Sequence, residues 1–133
     1  MKLVNFKDVE LEDVNVEGAK KTKIRWLISE KDDAPTFAMR MFEVEPGGNT
    51  PYHWHSWEHE VFCLEGEGIL VTENGEKPFG KGDVIFVDPN KKHQFKNAGN
   101  SLMRFLCIIP LDKPRQKEKK TVNPFASGIA NNC

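Results

Sequence analysis

Hydrophobic and polar residues alternate along most of the chain between residues 20 and 109. This period of two predicts β-strands with one buried face, because successive side chains of a strand point to opposite sides. In the clearest case, Thr22, Ile24, Trp26 and Ile28 share one face, and Lys and Arg occupy most of the other. The same pattern predicts further strands over residues 37–44, 52–55, 59–65, 69–72, 84–87, 93–96 and 102–109.

Short turn sequences separate these predicted strands. Asn74-Gly75 suits a type I′ hairpin turn, since both residue types tolerate a positive φ, and Gly80-Lys81-Gly82 and Asp88-Pro89-Asn90 are typical of turns. Many short strands at such spacing predict an all-β fold, either a sandwich or an antiparallel β-barrel.

The length of the chain indicates one domain, because 133 residues are too few for two ordinary domains. Beyond Pro110 the composition changes to a run rich in Lys and Glu. We therefore predict a single β-barrel domain over residues 1–111, with the N-terminal strands included, and a charged tail over residues 112–133.

Charge and cysteine content narrow the function classes. The 19 Lys and Arg nearly balance the 20 Asp and Glu, so the whole chain has no strong field to attract nucleic acid or an anionic membrane. Neither a run of about 20 apolar residues nor a secretory signal is found. The three cysteines, Cys63, Cys107 and Cys133, are widely spaced and form no CxxC. These features predict a cytoplasmic protein in a reducing compartment, with neither nucleic acid nor membrane as a partner.

The four histidines are the strongest chemical signal. His53, His55 and His59 lie close together, and His93 belongs to a later turn and strand. On an extended strand, residues i and i+2 project to the same face, so His53 and His55 can aim at one point. Two further histidines on neighbouring strands make a metal site more plausible than isolated core histidines.

The spacing of these histidines resembles that of the cupin family. The first cupin motif reads G, five residues, HxH, three or four residues, E, six residues, G. The chain has Gly47, five residues, His53-Trp54-His55, three residues, His59, six residues and Gly66, so His59 stands where the family usually has Glu.

The second cupin motif reads G, five residues, P-x-G-x-x-H-x-x-x-N. The segment from Gly82 to Asn97 follows it, with Asp88 in place of Pro and Asn90 in place of Gly. Asn tolerates a left-handed backbone better than most non-glycine residues, so the turn before His93 should survive. The motifs lie within residues 47–97, and the resemblance implies a small single-domain cupin, a jelly-roll barrel or double-stranded β-helix, with a manganese-type site of four histidines, His53, His55, His59 and His93.

Glu60 is the competing candidate for the third ligand, because Glu is the usual family residue and a four-residue spacing would select it. Adjacent strand residues face opposite ways, so His59 and Glu60 cannot both point inward. Only His59 keeps the six-residue gap to Gly66. We therefore predict that His59 binds the metal and that Glu60 points outward.

The predicted site has two chemical consequences. Four neutral imidazoles leave the charge of a divalent ion uncompensated, which favours an anionic small-molecule substrate or ligand. Imidazole ligation suits Mn, Fe, Co, Ni, Cu or Zn, so the identity of the ion stays open. Alternation also places further residues inside the barrel, as pocket wall or as ordinary core: Phe95, Phe105, Cys107 and Ile109.

The residues offer no second acid–base pair. Arg40 or Glu43 on the preceding strand could reach a substrate, but their strand parity relative to Met39 and Met41 is ambiguous, and such residues are more often surface charges. By analogy with the family, we predict a metal-dependent oxygenase that cleaves a C=C bond or an enol. Two alternatives are a non-catalytic metal or small-ligand binding or sensing module, and a metal-assisted isomerase with Glu43 or Glu60 pointing inside as general base.

A homodimer is also predicted. The strand around residues 24–28 would otherwise leave an open edge, and outward-pointing Trp54 or Trp57 would leave exposed apolar surface.

Overall fold

A computed structural model describes residues 1–111 and Cys133. This part of the chain contains nine strands and two short 3-10 helices, Phe6–Asp8 and Glu30–Asp32. The strands are β1 (Glu12–Asp13), β2 (Lys20–Ile28), β3 (Phe37–Asn49), β4 (His59–Glu65), β5 (Glu67–Thr72), β6 (Gly75–Gly80), β7 (Val84–Val87), β8 (His93–Asn97) and β9 (Met103–Pro110).

All strand pairs are antiparallel, and they join in one curled sheet. Its order is β6-β5-β8-β3-β9-β4-β7, and β2 pairs with both β1 and β3. Strand β9 lies between β3 and β4, so a strand near the end of the described region joins two earlier ones. The predicted all-β antiparallel barrel is confirmed.

The interior is built by alternation on β3 and β9. Met103, Phe105, Cys107 and Ile109 are buried on β9, whereas the residues between them are partly exposed. Phe105 stacks on Phe42 of β3, with ring centroids 5.4 Å apart, and lies 5.0 Å from the ring of Phe95 on β8. These aromatic contacts join three strands around the barrel interior.

A buried amide side chain, that of Asn97, connects strands next to this aromatic interior. The Asn97 side chain donates hydrogen bonds of 2.7 Å and 2.8 Å to the carbonyl oxygens of Val44 and Ser101, and it accepts one of 2.9 Å from the amide of Gly99. The last residue of the second cupin motif thus joins β3 to the turn that leads into β9.

Three strand predictions need correction. Residues 52–55 form no strand and contribute one isolated bridge, between His53 and His93. Strand β6, which the alternation did not indicate, pairs with β5 across the predicted Asn74-Gly75 turn. Ile28 was placed on a buried face but is 41% exposed, because the register of β2 against β3 shifts between Trp26 and Ile28.

The predicted charged tail begins at residue 112, and residues 112–132 lie outside the described part of the chain. Within the described part, no helix is both long enough and apolar enough to span a membrane.

Candidate metal centre

The four histidines meet in the barrel interior, and each is at most 2% exposed. His55 lies centrally, with its ring centroid 4.3 Å from His53, 4.5 Å from His59 and 5.2 Å from His93. The rings of His53 and His59 lie 5.1 Å from that of His93. The sequence prediction that these four imidazoles converge agrees with this arrangement, although the local structure that brings them together differs.

Backbone pairing, and not a regular strand, positions the first two histidines. The amide of His53 donates a 3.1 Å hydrogen bond to the carbonyl of His93, and the amide of His93 returns one of 2.9 Å to His53. This pair attaches the loop that carries His53 and His55 to the start of β8. Ligand candidates from the two motifs are therefore held by one backbone bridge.

Side-chain contacts orient the imidazoles. The ring of His55 stacks on Trp57, with centroids 4.4 Å apart. Nδ1 of His93 donates a 2.8 Å hydrogen bond to the carbonyl of Lys91, and Nδ1 of His59 lies 3.2 Å from Sγ of Cys107. Fixing one ring nitrogen leaves the other to face the interior, as in metal-binding histidines generally.

The nitrogens that face the interior suit a metal ion. Nε2 of His59 and Nε2 of His93 are buried and have no hydrogen-bond partner among residues 1–111 and Cys133. Burial lowers the pKa of His93, lowers the pKa of His59 well below its usual value and lowers the pKa of His53 to about 4. Neutral imidazoles with buried, unsatisfied nitrogens are the ligands that divalent transition metals accept.

The possible ligand atoms fall into two groups in the described part of the chain. The first comprises His53, His55 and His93, whose ligand atoms all lie within 4.8 Å of one another, and the second comprises His59, Cys107 and Cys133. The His59 ring is therefore close to the other histidine rings, but its possible ligand atoms group with the sulfurs of Cys107 and Cys133. The assignment of all four histidines to a single ion stays a prediction.

Cys133 is the least expected member of this region. Nε2 of His53 donates a 2.7 Å hydrogen bond to the carbonyl oxygen of Cys133, and the Cys133 sulfur lies 2.8 Å from that of Cys107. No local pattern indicated this contact, since Cys133 lies beyond a charged run and has no strand pattern around it. Cys133 itself is fully buried.

Arg40 is also inside the barrel, so the expectation of a surface charge is wrong. Its side chain is fully buried, with Nη2 3.0 Å from the sulfur of Cys107. The guanidinium carbon lies 5.1 Å from the ring centroid of Phe42 and 5.6 Å from that of Trp26. Parity could have shown this, because Arg40 alternates in phase with Phe42 and Val44 on β3.

The two acidic candidates lie away from the histidines. Glu43 is buried, which also corrects the expectation of a surface charge, but its carboxylate pairs with Arg25 at 3.2 Å and with Arg104 at 3.1 Å. Arg104 also pairs with Glu65. Glu60 is exposed on β4, in the outward orientation that the sequence predicted. Neither Glu43 nor Glu60 occupies the inward position that a general base would need.

The pocket-wall candidates are all buried, with Phe95, Phe105 and Cys107 fully covered and Ile109 6% exposed. The ring of Phe95 lies 5.9 Å from that of His93. In contrast, Trp57 is not an outward residue, because it is 3% exposed and stacks on His55. Trp54 is half-buried, and the dimer prediction loses part of its support.

Comparison with known proteins agrees with this architecture. Residues 40–109 match the cupin domain family. The polyketide cyclase RemF from Streptomyces resistomycificus is 40% identical in sequence, and its structure superposes with a TM-score of 0.81 over 86% of this chain and 82% of that one.

Two curated proteins share shorter regions. The oxalate-binding protein of Thermotoga maritima is 34% identical over 70 residues, which are 52% of this chain and 58% of that protein. Gentisate 1,2-dioxygenase of Ralstonia sp is 33% identical over 67 residues, 50% of this chain and 19% of that enzyme. The matched region spans a little over half of the oxalate-binding protein.

Cupin domains typically bind a metal ion, and the described part of this chain contains histidine-rich groups that can hold one. The motif spacing, the antiparallel barrel, the buried histidines and the matched region of residues 40–109 agree with one another. The chain belongs to the cupin family.

Proposed function

We propose that His53, His55, His59 and His93 bind one divalent transition metal and that the chain is an enzyme acting on a small, enolisable, anionic organic molecule. The observation that carries this proposal is the fully buried Arg40 beside the histidines. Cys107 links the two features, because its sulfur contacts both the Arg40 guanidinium at 3.0 Å and His59 at 3.2 Å. A buried guanidinium is costly to desolvate, and its planar group is suited to carboxylate and enolate oxygens.

Each part of the site has a distinct role in this proposal. A bound divalent ion supplies Lewis acidity for a substrate oxygen, and a redox-active ion also supplies electron transfer. Arg40 stabilises negative charge on the enolised substrate and orients it. The aromatic wall of Phe42, Phe95 and Phe105 excludes water and favours a planar molecule. Cys107 holds the ring of His59 through Nδ1 and is a positioning residue.

Ring closure of an enolisable polycarbonyl substrate is the reaction that we favour. The support is the polyketide cyclase RemF, which is 40% identical over most of both chains, whereas the similarity to gentisate 1,2-dioxygenase covers only 19% of that enzyme. Both reaction classes start from an electron-rich enol or enolate, which fits Arg40. Oxidative cleavage of a C=C bond or an enol, the expectation from the sequence, is the second candidate on the strength of the dioxygenase similarity.

The isomerase alternative has less support. It needs a general base that points into the site, such as Glu43 or Glu60, but Glu43 is paired with two arginines and Glu60 is exposed. The non-catalytic binding module remains the alternative that the experiment must separate from an enzyme.

The test uses the full chain loaded in turn with Mn, Fe, Ni, Cu or Zn and a panel of poly-β-ketones, diketones and enols. Mass spectrometry identifies the products, and an oxygen electrode measures oxygen consumption in the same reactions. Ring closure with dehydration predicts loss of one water from the substrate without oxygen consumption, whereas oxidative cleavage predicts oxygen uptake and products that contain added oxygen. Absence of turnover with every metal and substrate would overturn the enzyme proposal in favour of a binding module.

Arg40→Met supplies the variant test, and Arg104→Met is its control because Arg104 pairs with Glu43 and Glu65 outside the barrel. Arg40→Met should raise KM for anionic substrates while metal content stays the same. Arg104→Met should leave KM unchanged. Equal effects of the two variants would contradict the role of Arg40 in substrate binding.

A further inference from the structure

Two thiols from distant parts of the chain meet beside the histidines. The Cys107 and Cys133 sulfurs lie 2.8 Å apart, although the residues are separated by 26 positions in the sequence. Both side chains are fully buried, and neither residue is in a disulfide. A disulfide bond is about 2.05 Å long, so the two sulfurs would need to approach by less than about 1 Å.

The position of Cys133 gives this pair a consequence for the candidate metal centre. Its carbonyl oxygen accepts a 2.7 Å hydrogen bond from Nε2 of His53. A ring nitrogen that donates to this oxygen carries a proton and has no free lone pair for a metal ion. A metal ion that binds His53 through Nε2 would have to displace Cys133 from this atom.

We propose that Cys107 and Cys133 are a redox modification site, a thiol–disulfide pair that retains Cys133 beside His53 when oxidised and thereby closes the histidine site. The step consumes one hydroperoxide. The two thiols give up two protons and two electrons, a sulfur–sulfur bond forms, and these reduce the hydroperoxide to an alcohol and water, or to two waters when it is hydrogen peroxide. A thiol reductant reverses the step. The effect on metal uptake rests on the proposed metal site, whereas the disulfide itself does not.

Cys63 provides an internal control. It is also buried, on β4, but its sulfur contacts the carbonyl oxygens of Glu65 and Gly66 at 3.6 Å and 3.9 Å. If hydrogen peroxide oxidised every buried cysteine alike, Cys63 would react as well. If the geometry decides it, the bond joins only Cys107 to Cys133.

The first experiment treats the reduced, metal-free full chain with hydrogen peroxide, followed by alkylation and trypsin digestion without reduction. Cleavage places Cys107 in the peptide of residues 105–115 and Cys133 in that of residues 121–133, apart from Cys63. The expected result is an intact chain lighter by two hydrogens and a disulfide that links these two peptides. Cys63→Ser should form the same link, and Cys133→Ser should form none. A link through Cys63, sulfinic or sulfonic acid on Cys107 alone, or three alkylated cysteines would overturn the proposal.

The second experiment measures uptake of Mn²⁺ and Zn²⁺ by competition with a chromogenic chelator. Oxidised wild-type protein should lose uptake and regain it after reduction with dithiothreitol, whereas Cys133→Ser should keep uptake through the same treatment. A disulfide that forms without changing uptake would overturn the closing role. If the reduced wild-type protein binds neither metal, the proposed metal site fails, and the peptide link still decides whether the thiol pair exists.

Discussion

The backbone amide of Asn90 donates a 2.6 Å hydrogen bond to the carbonyl oxygen of His55. Asn90 belongs to the turn before β8, so this bond holds the second motif against the loop of the first. Asn90 adopts a left-handed backbone conformation here, with a φ of 67°. The family usually has Gly at this position. The turn thus holds the backbone of His55, a histidine of the candidate centre.

This turn gives a prediction with a matched pair of variants. Asn90→Gly should change the free energy of unfolding by no more than about 0.5 kcal/mol, because the side chain is exposed and Gly adopts positive φ freely. Asn90→Val should lower it by about 1–2 kcal/mol, because a β-branched residue is strained there. Urea denaturation measures both. Equal stabilities of the two variants would show that the left-handed conformation does not limit this turn.

Asn97 should contribute more to stability than its neighbour Asn100. Asn97→Ala removes the three hydrogen bonds by which this side chain joins β3 to the turn before β9. It should lower the free energy of unfolding by about 1–3 kcal/mol. Asn100 is exposed, so Asn100→Ala is the control and should be nearly neutral. Thermal unfolding of the two variants decides between them. A cost for Asn100→Ala as large as that for Asn97→Ala would contradict the account of this turn.

Gly68 on β5 marks a close approach inside the barrel. A Cβ there would lie 2.5 Å from Cζ of Phe79 and 2.6 Å from Sδ of Met103, so Gly68→Ala should destabilise the protein by about 1–3 kcal/mol through overpacking. At Gly80 on β6 the nearest atom would be 3.6 Å away. Gly80→Ala should therefore change stability little in the same denaturation measurement. Tolerance of Gly68→Ala would mean that the Phe79 ring and Met103 can move aside at little cost.

Most of the fold follows from local patterns in the sequence. Alternation predicted β4 and β7 with their observed bounds and located most of the other long strands to within a few residues at one or both ends. It failed for residues 52–55, because the backbone there is held by a single bridge from His53 to His93 and not by a ladder. It also missed β6, whose sequence Gly-Glu-Lys-Pro-Phe-Gly has no alternation and is set by pairing with β5.

The candidate site was predictable where it depends on motif spacing, and less so where it depends on distant contacts. Four histidines at cupin spacing indicated a shared cavity, and the structure buries all four. The sequence leaves the parity of Arg40 relative to Met39 and Met41 ambiguous, which favours a surface charge, whereas the structure buries Arg40 in phase with Phe42 and Val44. The contact of Cys133 with Cys107 and His53 spans a segment without strand periodicity, so no local pattern could have indicated it.

The metal content of His59→Ala and Glu60→Ala, measured side by side, tests the central claim of a four-histidine metal site most directly. The two residues are adjacent on β4, but His59 is fully buried and Glu60 is exposed. Each variant and the wild-type chain are loaded with Mn²⁺, dialysed against a mild chelator and analysed for metal per chain. We predict that wild type and Glu60→Ala retain the ion and that His59→Ala loses it, because removal of one of four ligands weakens the site. Retention by His59→Ala with loss from Glu60→Ala would contradict the proposed site.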